Sequence, residues 1–351
     1  MKIKVLIVDS DATYLEKLVS VFNVKYADKI QVLSFTSLEK AAAELKNKKV
    51  DLCIVDRSMN IDDYPTLKRN ELVYFIDRAG VEQLDDHKAI NKYQKPDVIY
   101  RKILSIYSEI APNIKIERNK EGEINIKTFT SFNGGVGSSS AAVAYAIRKA
   151  QDYSVFYLNL EKLGDSNLFF PTNNSYTLSD IIYAVKSKKG NVEMKIESCL
   201  ETSREGVNFI PSPNMALDFM ELNNDEIVEL INIISNMGYD YFVIDINFDF
   251  GNLEKRIMEL SDDIILLLDG SEIGNTKFDR AYNSLKLLQD AGDVSFIGKL
   301  NLLYNKFSNK TCKKLVDLDI KEVGGIPRFE HATTEQVIES IANFEELDKI
   351  G

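Results

Sequence analysis

The sequence predicts an α/β protein made of two doubly wound domains, each built on a mainly parallel sheet. Its 351 residues exceed what one ordinary hydrophobic core accommodates. Short apolar runs alternate with helical patterns along most of the chain, as expected where helices connect parallel strands. A stretch with Pro112, a charged run and a turn ending at Gly122 interrupts this alternation. We therefore predict a first domain over residues 1–110, a linker over 111–122 and a second domain over 123–351.

Composition and charge exclude several functional classes. The chain is 44% hydrophobic and 28% charged, which is typical of a soluble globular protein. A formal net charge of −11 argues against general nucleic-acid binding, which normally requires a basic face. The three cysteines form no CxxC pair and there are two histidines, so no Cys- or His-based metal centre or disulfide framework is expected. The sequence has no signal peptide and no apolar run as long as a membrane span, so we expect a cytoplasmic protein.

In the first domain, apolar runs of strand length alternate with helical patterns, which predicts a parallel sheet. The segment 97–110 is the clearest helix, because its apolar residues recur at helical spacing. The expected strands lie at 4–8, 31–35, 52–55, 72–76 and near Tyr93, and the expected helices at 12–22, 38–47 and 97–110.

Charged side chains follow three of these strands. Asp9 and Asp11 come after the first strand, Asp56 ends the third, and Lys95 precedes a proline after the fifth. Because the carboxyl ends of parallel strands share one crevice, these four side chains should converge. Clustered carboxylates bind hard cations through oxygen, and a lysine beside them can pair with a phosphoryl group. The sequence therefore predicts a cation-binding acidic crevice in the first domain.

This arrangement resembles a response-regulator receiver, a flavodoxin-like doubly wound domain. The resemblance implies that Asp9 and Asp11 are its acidic pair, Asp56 its phospho-acceptor and Lys95 its lysine. Asp77, or Ile76 if the register is shifted, stands where the family has threonine or serine, and the segment from Asp56 to Lys95 is short, which implies a trimmed or lost helix. The extra negative charge would suppress a switch that is read through a hydroxyl. The resemblance therefore favours a degenerate receiver that serves for interaction or dimerisation.

The second domain repeats the alternation on a larger scale and again predicts a parallel sheet covered by helices. An amphipathic helix covers residues 225–237 and ends at Gly238, and the run 141–150 is a strong helix former. The expected strands lie at 124–132, 154–160, 207–210, 241–246, 263–268, part of 294–305, and 320–323.

The most informative segment is a glycine-rich loop between the first strand of this domain and the helix that follows. A glycine loop at such a junction lets backbone N–H groups and the helix N-terminus cradle an anion. Ser139 can offer its hydroxyl to Mg²⁺, but the loop contains no lysine for the phosphates. We therefore predict nucleotide binding without efficient hydrolysis. The candidate nucleotide ligands of the loop are Asn133, Gly134, Gly135, Val136, Gly137, Ser138, Ser139 and Ser140.

The loop resembles the deviant P-loop of the MinD/ParA family, which reads Lys-Gly-Gly-x-Gly-Lys-Thr/Ser-Thr. By this match Asn133 replaces the lysine that reaches across a dimer, and Ser138 replaces the lysine that binds phosphate in its own subunit. The family's Asp-x-Asp pair corresponds to Asn159 and Glu161. The resemblance implies that Glu161 is the water-activating catalytic carboxylate.

Three later segments match the same family in the same order. Asp245 ends an apolar strand, where the resemblance implies a Mg²⁺ site shared with Ser139. Asn305 falls where the family reads adenine, and its amide can both donate and accept. The segment with Pro327 and Arg328 resembles the family's loop that lies against the base. Together these matches imply a MinD/ParA-like P-loop α/β domain.

A P-loop without its second lysine, joined to a receiver-like domain, resembles the TadZ/CpaE group of pilus-assembly proteins. The resemblance implies an ATP-binding localisation or assembly factor for a Tad-type pilus machine, with little or no hydrolysis. It also implies ATP and Mg²⁺ as cofactors and a homodimer stabilised by nucleotide. The implied partners are other pilus proteins or a polar anchor. The implied location is the cytoplasm, and a position at the cell pole is left open.

Two other functions remain open on sequence grounds. One is an active MinD/ParA-type positioning ATPase that cycles on membranes, although the tail 333–351 is acidic, which argues against direct membrane attachment. The other is a scaffold that binds no nucleotide. A transcriptional regulator is disfavoured, because the chain has no recognisable basic DNA-binding module.

Overall fold

The computed structural model describes residues 2–350 except 70, 112–123, 173–174, 189, 309 and 317. It divides into two compact units, Met1–Ile116 with Ser187–Ser198, and Glu117–Lys186 with Cys199–Gly351. Both units are α/β with mainly parallel sheets, which confirms the predicted fold class. The predicted linker lies outside the described residues apart from Ala111.

The sheet of the first unit has the strand order β2-β1-β3-β4-β6-β5, in which β5 alone is antiparallel to its neighbour among the described strands. Apolar runs make its central strands, so that β3 is buried at every residue. The elements are β1 (Ile3–Val8), α1 (Ala12–Lys25), β2 (Ile30–Phe35), α2 (Leu38–Glu44), β3 (Leu52–Asp56), β4 (Glu71–Ile76), β5 (Gln83–Leu84), β6 (His87–Asn91) and α3 (Pro96–Ile110).

The connections around β4 are shorter than those of an ordinary doubly wound sheet. In the described part of 57–94 a 3-10 turn, Leu67–Arg69, precedes β4, and the strand β5 precedes β6. Thus both crossovers lack an α-helix there, whereas the resemblance implied that one helix is trimmed or lost. The strand expected near Tyr93 ends earlier, at Asn91, because the side chain of Asn91 accepts a hydrogen bond from the Tyr93 N–H at 2.9 Å and turns the chain.

A segment from the later part of the sequence completes the first unit. Met194 joins the apolar cluster of this unit, and Lys195 Nζ donates to Ser105 Oγ at 2.8 Å. The Asn191 N–H donates to the Ser108 carbonyl at 2.7 Å. Gly190 has a φ of +76°, and a Cβ there would lie 2.0 Å from Ser108 O, so the close approach requires glycine.

The sheet of the second unit has the order β14-β13-β12-β7-β11-β8-β10-β9, parallel throughout except for β9 against β10. From residue 124 the elements are β7 (Asn125–Thr130), α4 (Ser138–Lys149), β8 (Val155–Asn159), α5 (Leu178–Ser187), α6 (Val192–Cys199), β9 (Glu201–Thr202), β10 (Val207–Phe209), α7 (Ala216–Phe219), α8 (Asn224–Ser235), β11 (Tyr241–Asp245), α9 (Asn252–Leu260), β12 (Asp263–Leu268), α10 (Glu272–Asp290), β13 (Leu300–Phe307), β14 (Lys321–Pro327) and α11 (Thr334–Ala342). Of these, α6 belongs to the first unit except for its last residue.

Helix α4 lies at the centre of this unit and positions the glycine-rich loop. It contacts β7, β8 and β11 on one side and α11 on another. Its buried alanines leave little side-chain bulk, so the helix can approach the sheet closely. The loop is therefore held between two well-packed elements. None of the helices in the described part of the chain combines the length and apolar character that a bilayer crossing requires.

Candidate functional site

The loop between β7 and α4 is shaped by two glycines in left-handed conformations. Gly135 has a φ of +78° and Gly137, the N-cap of α4, a φ of +92°. A Cβ on Gly137 would lie 2.5 Å from Asn305 Nδ2, which is closer than real Cβ atoms come to any neighbour. Both the backbone conformation and the space therefore require glycine at 137.

The N-terminus of α4 is open toward the loop. Among the described residues no side chain caps this end, and the first turn contains no acidic residue. The free N–H groups and the helix dipole therefore favour an anion at this position. The buried Ser138 Oγ has no hydrogen-bond partner among the described residues, so the first turn also contains an unsatisfied polar atom.

Two residues of β13 hold the loop from the side. Asn305 Nδ2 donates to the Val136 carbonyl at 2.8 Å, and Lys306 Nζ donates to the Gly135 carbonyl at 2.7 Å. The resemblance implied that Asn305 reads adenine, but its side chain is engaged with the loop backbone, and its contact with a base stays a prediction. Sequence reasoning assigned no role to Lys306, although it directly follows Asn305. At the other side, Lys277 Nζ of α10 donates to Asn133 Oδ1 at 3.2 Å.

A buried carboxylate faces the helix from the end of β11. Asp245 is fully buried, and its Oδ2 accepts hydrogen bonds from Tyr157 Oη at 3.0 Å and Asn159 Nδ2 at 3.4 Å. Its Oδ1 has no partner among the described residues. Burial and the nearby Glu161 carboxylate raise the pKa of Asp245 to about 7, and the hydroxyls of Ser139 and Tyr157 oppose this rise. This carboxylate is thus incompletely satisfied.

The Ser139 hydroxyl lies near the carboxylates of both Glu161 and Asp245 and lowers the pKa of each. Burial raises the pKa of Glu161, and the Ser139 hydroxyl opposes that shift. The Glu161 N–H donates to Asn159 Oδ1 at 2.9 Å, which fixes the start of this segment. The structure therefore brings the predicted catalytic carboxylate and both predicted metal ligands together.

The same residues fit a magnesium ion. Serine hydroxyl and carboxylate oxygens are ligands that Mg²⁺ prefers, and the unpartnered Oδ1 of Asp245 is available for it directly or through water. The described residues contain no group of three or more His, Cys, Asp or Glu side chains that could hold a metal. An ion here would therefore depend on phosphate oxygens as well as on Ser139 and Asp245.

A cavity of about 430 Å³ opens beside the N-terminus of α4. This volume suits a drug-sized or nucleotide-sized ligand. Its wall combines the loop, the end of β13 and the segment after β14, so the predicted Pro327 and Arg328 lie beside the loop. The lining residues are Gly137, Ser140, Asn305, Lys306, Pro327, Arg328, Phe329, Glu330, His331 and Val337.

The acidic crevice of the first unit is closed by Lys92. Its ammonium contacts Asp9 Oδ2 at 3.0 Å and forms a short ion pair with Asp56. The sequence predicted Lys95 at this place, and that prediction is wrong. Strand β6 ends at Asn91, so Lys92 directly follows the strand and its side chain reaches the crevice. Lys95 is instead the exposed N-cap residue of α3. Asp11 caps α1 by accepting from the Tyr14 N–H at 3.0 Å.

The ammonium of Lys92 takes the place that the sequence predicted for a hard cation. Burial raises the pKa of Asp9. At Asp56, hydrogen bonds from Lys92 and Ser58 outweigh the effect of burial and hold its pKa below the usual value. Because both oxygens of Asp56 already accept hydrogen bonds, a metal ion would have to displace Lys92 or Ser58. The crevice is an internal ion-pair site.

Comparison with known proteins covers both parts of the chain. Residues 1–108 match the family described as TadZ-like, receiver domain. The structure of a ParA family ATPase from Chlorobium tepidum TLS aligns with a TM-score of 0.51 at 20% sequence identity, over 65% of this chain and 96% of that one. At this identity the likeness shows the fold alone. No curated protein sequence matches the chain at a significant level.

Two further structures align less well. A plasmid partition protein from Borrelia burgdorferi has a TM-score of 0.48 at 20% identity, over 65% of this chain and 100% of that one. The septum site-determining protein MinD from Pyrococcus horikoshii OT3, complexed with Mg-ADP, has a TM-score of 0.48 at 15% identity, over 62% and 94% of the two chains. The fold of the second unit is therefore assigned from the Chlorobium structure.

Proposed function

We propose that this protein binds ATP and Mg²⁺ and helps to position or assemble a Tad-type pilus machine, because residues 1–108 match the family described as TadZ-like, receiver domain, and the C-terminal part has the fold of the ParA family ATPases. One observation carries the nucleotide part of the proposal. The uncapped N-terminus of α4, with left-handed Gly137 before it, opens directly into a cavity of about 430 Å³. An anion and an attached base fit this combination.

Different residues of the chain would bind different parts of the nucleotide. Backbone N–H groups of the loop and of the first turn of α4 would bind phosphate oxygens. Ser139 and Asp245 would hold the Mg²⁺, which supplies neutralisation of the phosphate charge. Pro327, Arg328 and the neighbouring Phe329 line the part of the cavity available to the base. Asn305 keeps the loop in its binding conformation through Val136.

We propose that hydrolysis is slow. Transfer of a phosphoryl group depends on charge neutralisation, and one missing preorganised donor costs about 2.7–4 kcal/mol in comparable sites. Asn133 and Ser138 offer no positive charge within the loop, and Asn159 offers no negative charge to the outer shell of a metal. Glu161 remains as the carboxylate that could orient a water. ATP would therefore act mainly as a structural ligand.

We propose that the bound nucleotide stabilises a homodimer. A ligand that binds only the assembled form shifts the equilibrium toward it by mass action, and symmetric dimers are the commonest oligomers. The receiver-like domain would serve as an interaction module, since Lys92 already occupies the position where a phosphorylated switch needs a cation. Other pilus proteins or a polar anchor are the proposed partners, in the cytoplasm and with the cell pole as the place to look.

Three measurements on the purified full chain test the proposal. Calorimetric titration with ATP and Mg²⁺ should give a saturable isotherm, and light scattering should show a larger fraction of dimer with nucleotide than without it. Phosphate release should stay near background. Turnover at the rate of a lysine-bearing relative would instead favour the active MinD/ParA-type positioning ATPase, and a lack of any binding would favour the nucleotide-free scaffold.

The cellular part of the proposal needs a separate test. A functional fluorescent fusion should depend on the pilus machine or a polar protein for its location, and a tagged chain should recover pilus components. A fusion that stays diffuse and recovers none of them would contradict the pilus role without affecting the nucleotide site.

A further inference from the structure

The glycine-rich loop has to bind a polyanion without a lysine of its own. Nucleotide triphosphates carry several negative charges, and in P-loops an ammonium normally reaches the β- and γ-phosphates. Here the neighbouring carboxylates Glu161 and Asp245 add negative charge on one side of the loop. A cation from another part of the unit would therefore contribute strongly to phosphate binding.

Lys306 brings an ammonium to the loop from the end of β13. Its Nζ lies 2.7 Å from the carbonyl oxygen of Gly135, and its Cε would lie 3.8 Å from a Cβ built on Gly137. The stem therefore runs along the loop to the glycine that caps α4. An ammonium has three N–H donors, and the bond to Gly135 uses one of them. Among the described residues the ammonium has no further partner, so two donors remain for a phosphate beside the loop.

The backbone is distorted at the point where this side chain leaves the strand. Neighbouring residues of a regular strand point to opposite faces, so Asn305 and Lys306 could not both reach the loop. Lys306 has a φ of +56°, and the pairing of β13 with β14 shifts register between Tyr304 and Phe307. A bulge of this kind redirects a side chain and is often found beside a functional site. It lets Asn305 bind Val136 O while Lys306 binds Gly135 O.

We propose that Lys306 supplies, from outside the loop, the ammonium that binds the phosphate chain of the nucleotide. This inference rests on the proposed ATP-binding function and names a phosphate-binding residue that the loop sequence alone does not contain. Lys306 also lines the cavity beside α4, so its ammonium is accessible to a ligand there. Lys277 contacts the other end of the loop at Asn133 and is exposed, which leaves Lys306 nearer the helix N-terminus.

The test compares ATP with probes that lack either its phosphates or its base. Binding of ATP with Mg²⁺, of adenosine and of inorganic tripolyphosphate is measured by calorimetry for the wild type and for Lys306→Met. Losing a charge-assisted hydrogen bond should weaken ATP and tripolyphosphate by about tenfold or more, with adenosine unchanged within about twofold. Lys286→Met is the matched control, because Lys286 is exposed on α10 and its ammonium lies 4.3 Å from the Tyr282 ring.

A second variant separates charge from backbone conformation. Lys306→Asn is also uncharged, but asparagine accepts a positive φ more readily than methionine, so it should fold with little strain. Both variants should lose ATP affinity to a similar extent, and Lys306→Arg should retain most of it. Unchanged ATP affinity, or equal losses for ATP and adenosine, would overturn the inference.

The same data distinguish this inference from the proposed function. A wild type that binds neither ATP nor tripolyphosphate overturns both. If the wild type binds tripolyphosphate in a Lys306-dependent manner but not ATP, only the nucleotide function is overturned. If the wild type binds ATP and the Lys306 variants bind it equally well, only the role of Lys306 is overturned.

Discussion

The carboxylate of Asp245 accepts a hydrogen bond from the Tyr157 hydroxyl at 3.0 Å, while its second oxygen has no partner among the described residues. Burial raises the pKa of the Tyr157 hydroxyl well above its usual value, so the tyrosine acts as a donor to this carboxylate. One oxygen of Asp245 is thus fixed and the other is left for a ligand. An unsatisfied buried carboxylate lowers the stability of the fold. Such a group is more readily retained where a bound cation compensates for the lost stability.

The pH dependence of stability should reveal the unpaired carboxyl. The pKa of Asp245 is about 7 in the folded chain and 3.8 ordinarily, so the folded state retains a proton that the unfolded state loses. The penalty is absent below about pH 4, grows between about pH 4 and 7, and is then constant. Without nucleotide or metal, Asp245→Asn should therefore be more stable than wild type at pH 8, by on the order of 4 kcal/mol.

Chemical denaturation at pH 4.5 and pH 8 measures this difference. Asp279→Asn is the control, because Asp279 is exposed on α10 and the substitution should change stability equally at both pH values. A wild type that gains stability relative to Asp245→Asn as the pH rises would contradict the raised pKa.

Gly137 should be far less replaceable than Gly134. Alanine at 137 would combine a φ of +92° with a Cβ 2.5 Å from Asn305 Nδ2, so the chain must shift or release the bond from Asn305 to Val136. We expect Gly137→Ala to lower the free energy of unfolding by about 1–3 kcal/mol. A Cβ on Gly134 meets none of the described residues within 4 Å, so Gly134→Ala should stay within about 0.5 kcal/mol of wild type.

Denaturant unfolding of the nucleotide-free chain gives both values. Equal stability of the two variants would mean that Asn305 does not hold the loop in solution as it does in the structure.

The pattern of the sequence was sufficient for the fold class and for the strand that precedes the loop, because apolar runs and glycines act locally. The pattern was not sufficient to identify the roles of Lys92 and Lys306. The Lys-Pro pair pointed to Lys95, but the end of β6 at Asn91 is set by its side chain, which brings Lys92 to the carboxylates. Lys306 was missed because a bulge reverses the expected alternation of side chains, and such an irregularity depends on pairing with β14.

Lys92 should be essential to the stability of the first unit. Asp9 and Asp56 are almost completely buried, and Lys92 neutralises both of them. Removing the cation leaves two buried like charges, so Lys92→Met should destabilise this unit by about 3–5 kcal/mol at pH 8. Lys95→Met is the matched control, since Lys95 is exposed and its substitution should change little.

Hydrogen exchange of β1, β3 and β6 in the full chain measures the effect in the unit concerned. Adding Asp56→Asn to Lys92→Met should restore part of the protection, because one of the two carboxylates is then neutral. If Lys92→Met and Lys95→Met show equal protection, the ion pair does not contribute to the stability of the unit.

The neutral side chain of Asn159 should limit the loss of stability that the carboxylates of the nucleotide site cause in the absence of a metal. Its Nδ2 lies 3.4 Å from Asp245 Oδ2, so Asn159→Asp would place a second carboxylate against a buried one. We expect this variant to unfold at a lower temperature than wild type in EDTA at pH 8, and to recover more of that loss on adding Mg²⁺ than wild type gains. Thermal unfolding with and without Mg²⁺ measures both effects, and Asn283→Asp on the exposed side of α10 is the control. An Asn159→Asp variant that matches wild type in EDTA would show that the site tolerates the additional charge, and the neutral amide would then need another explanation.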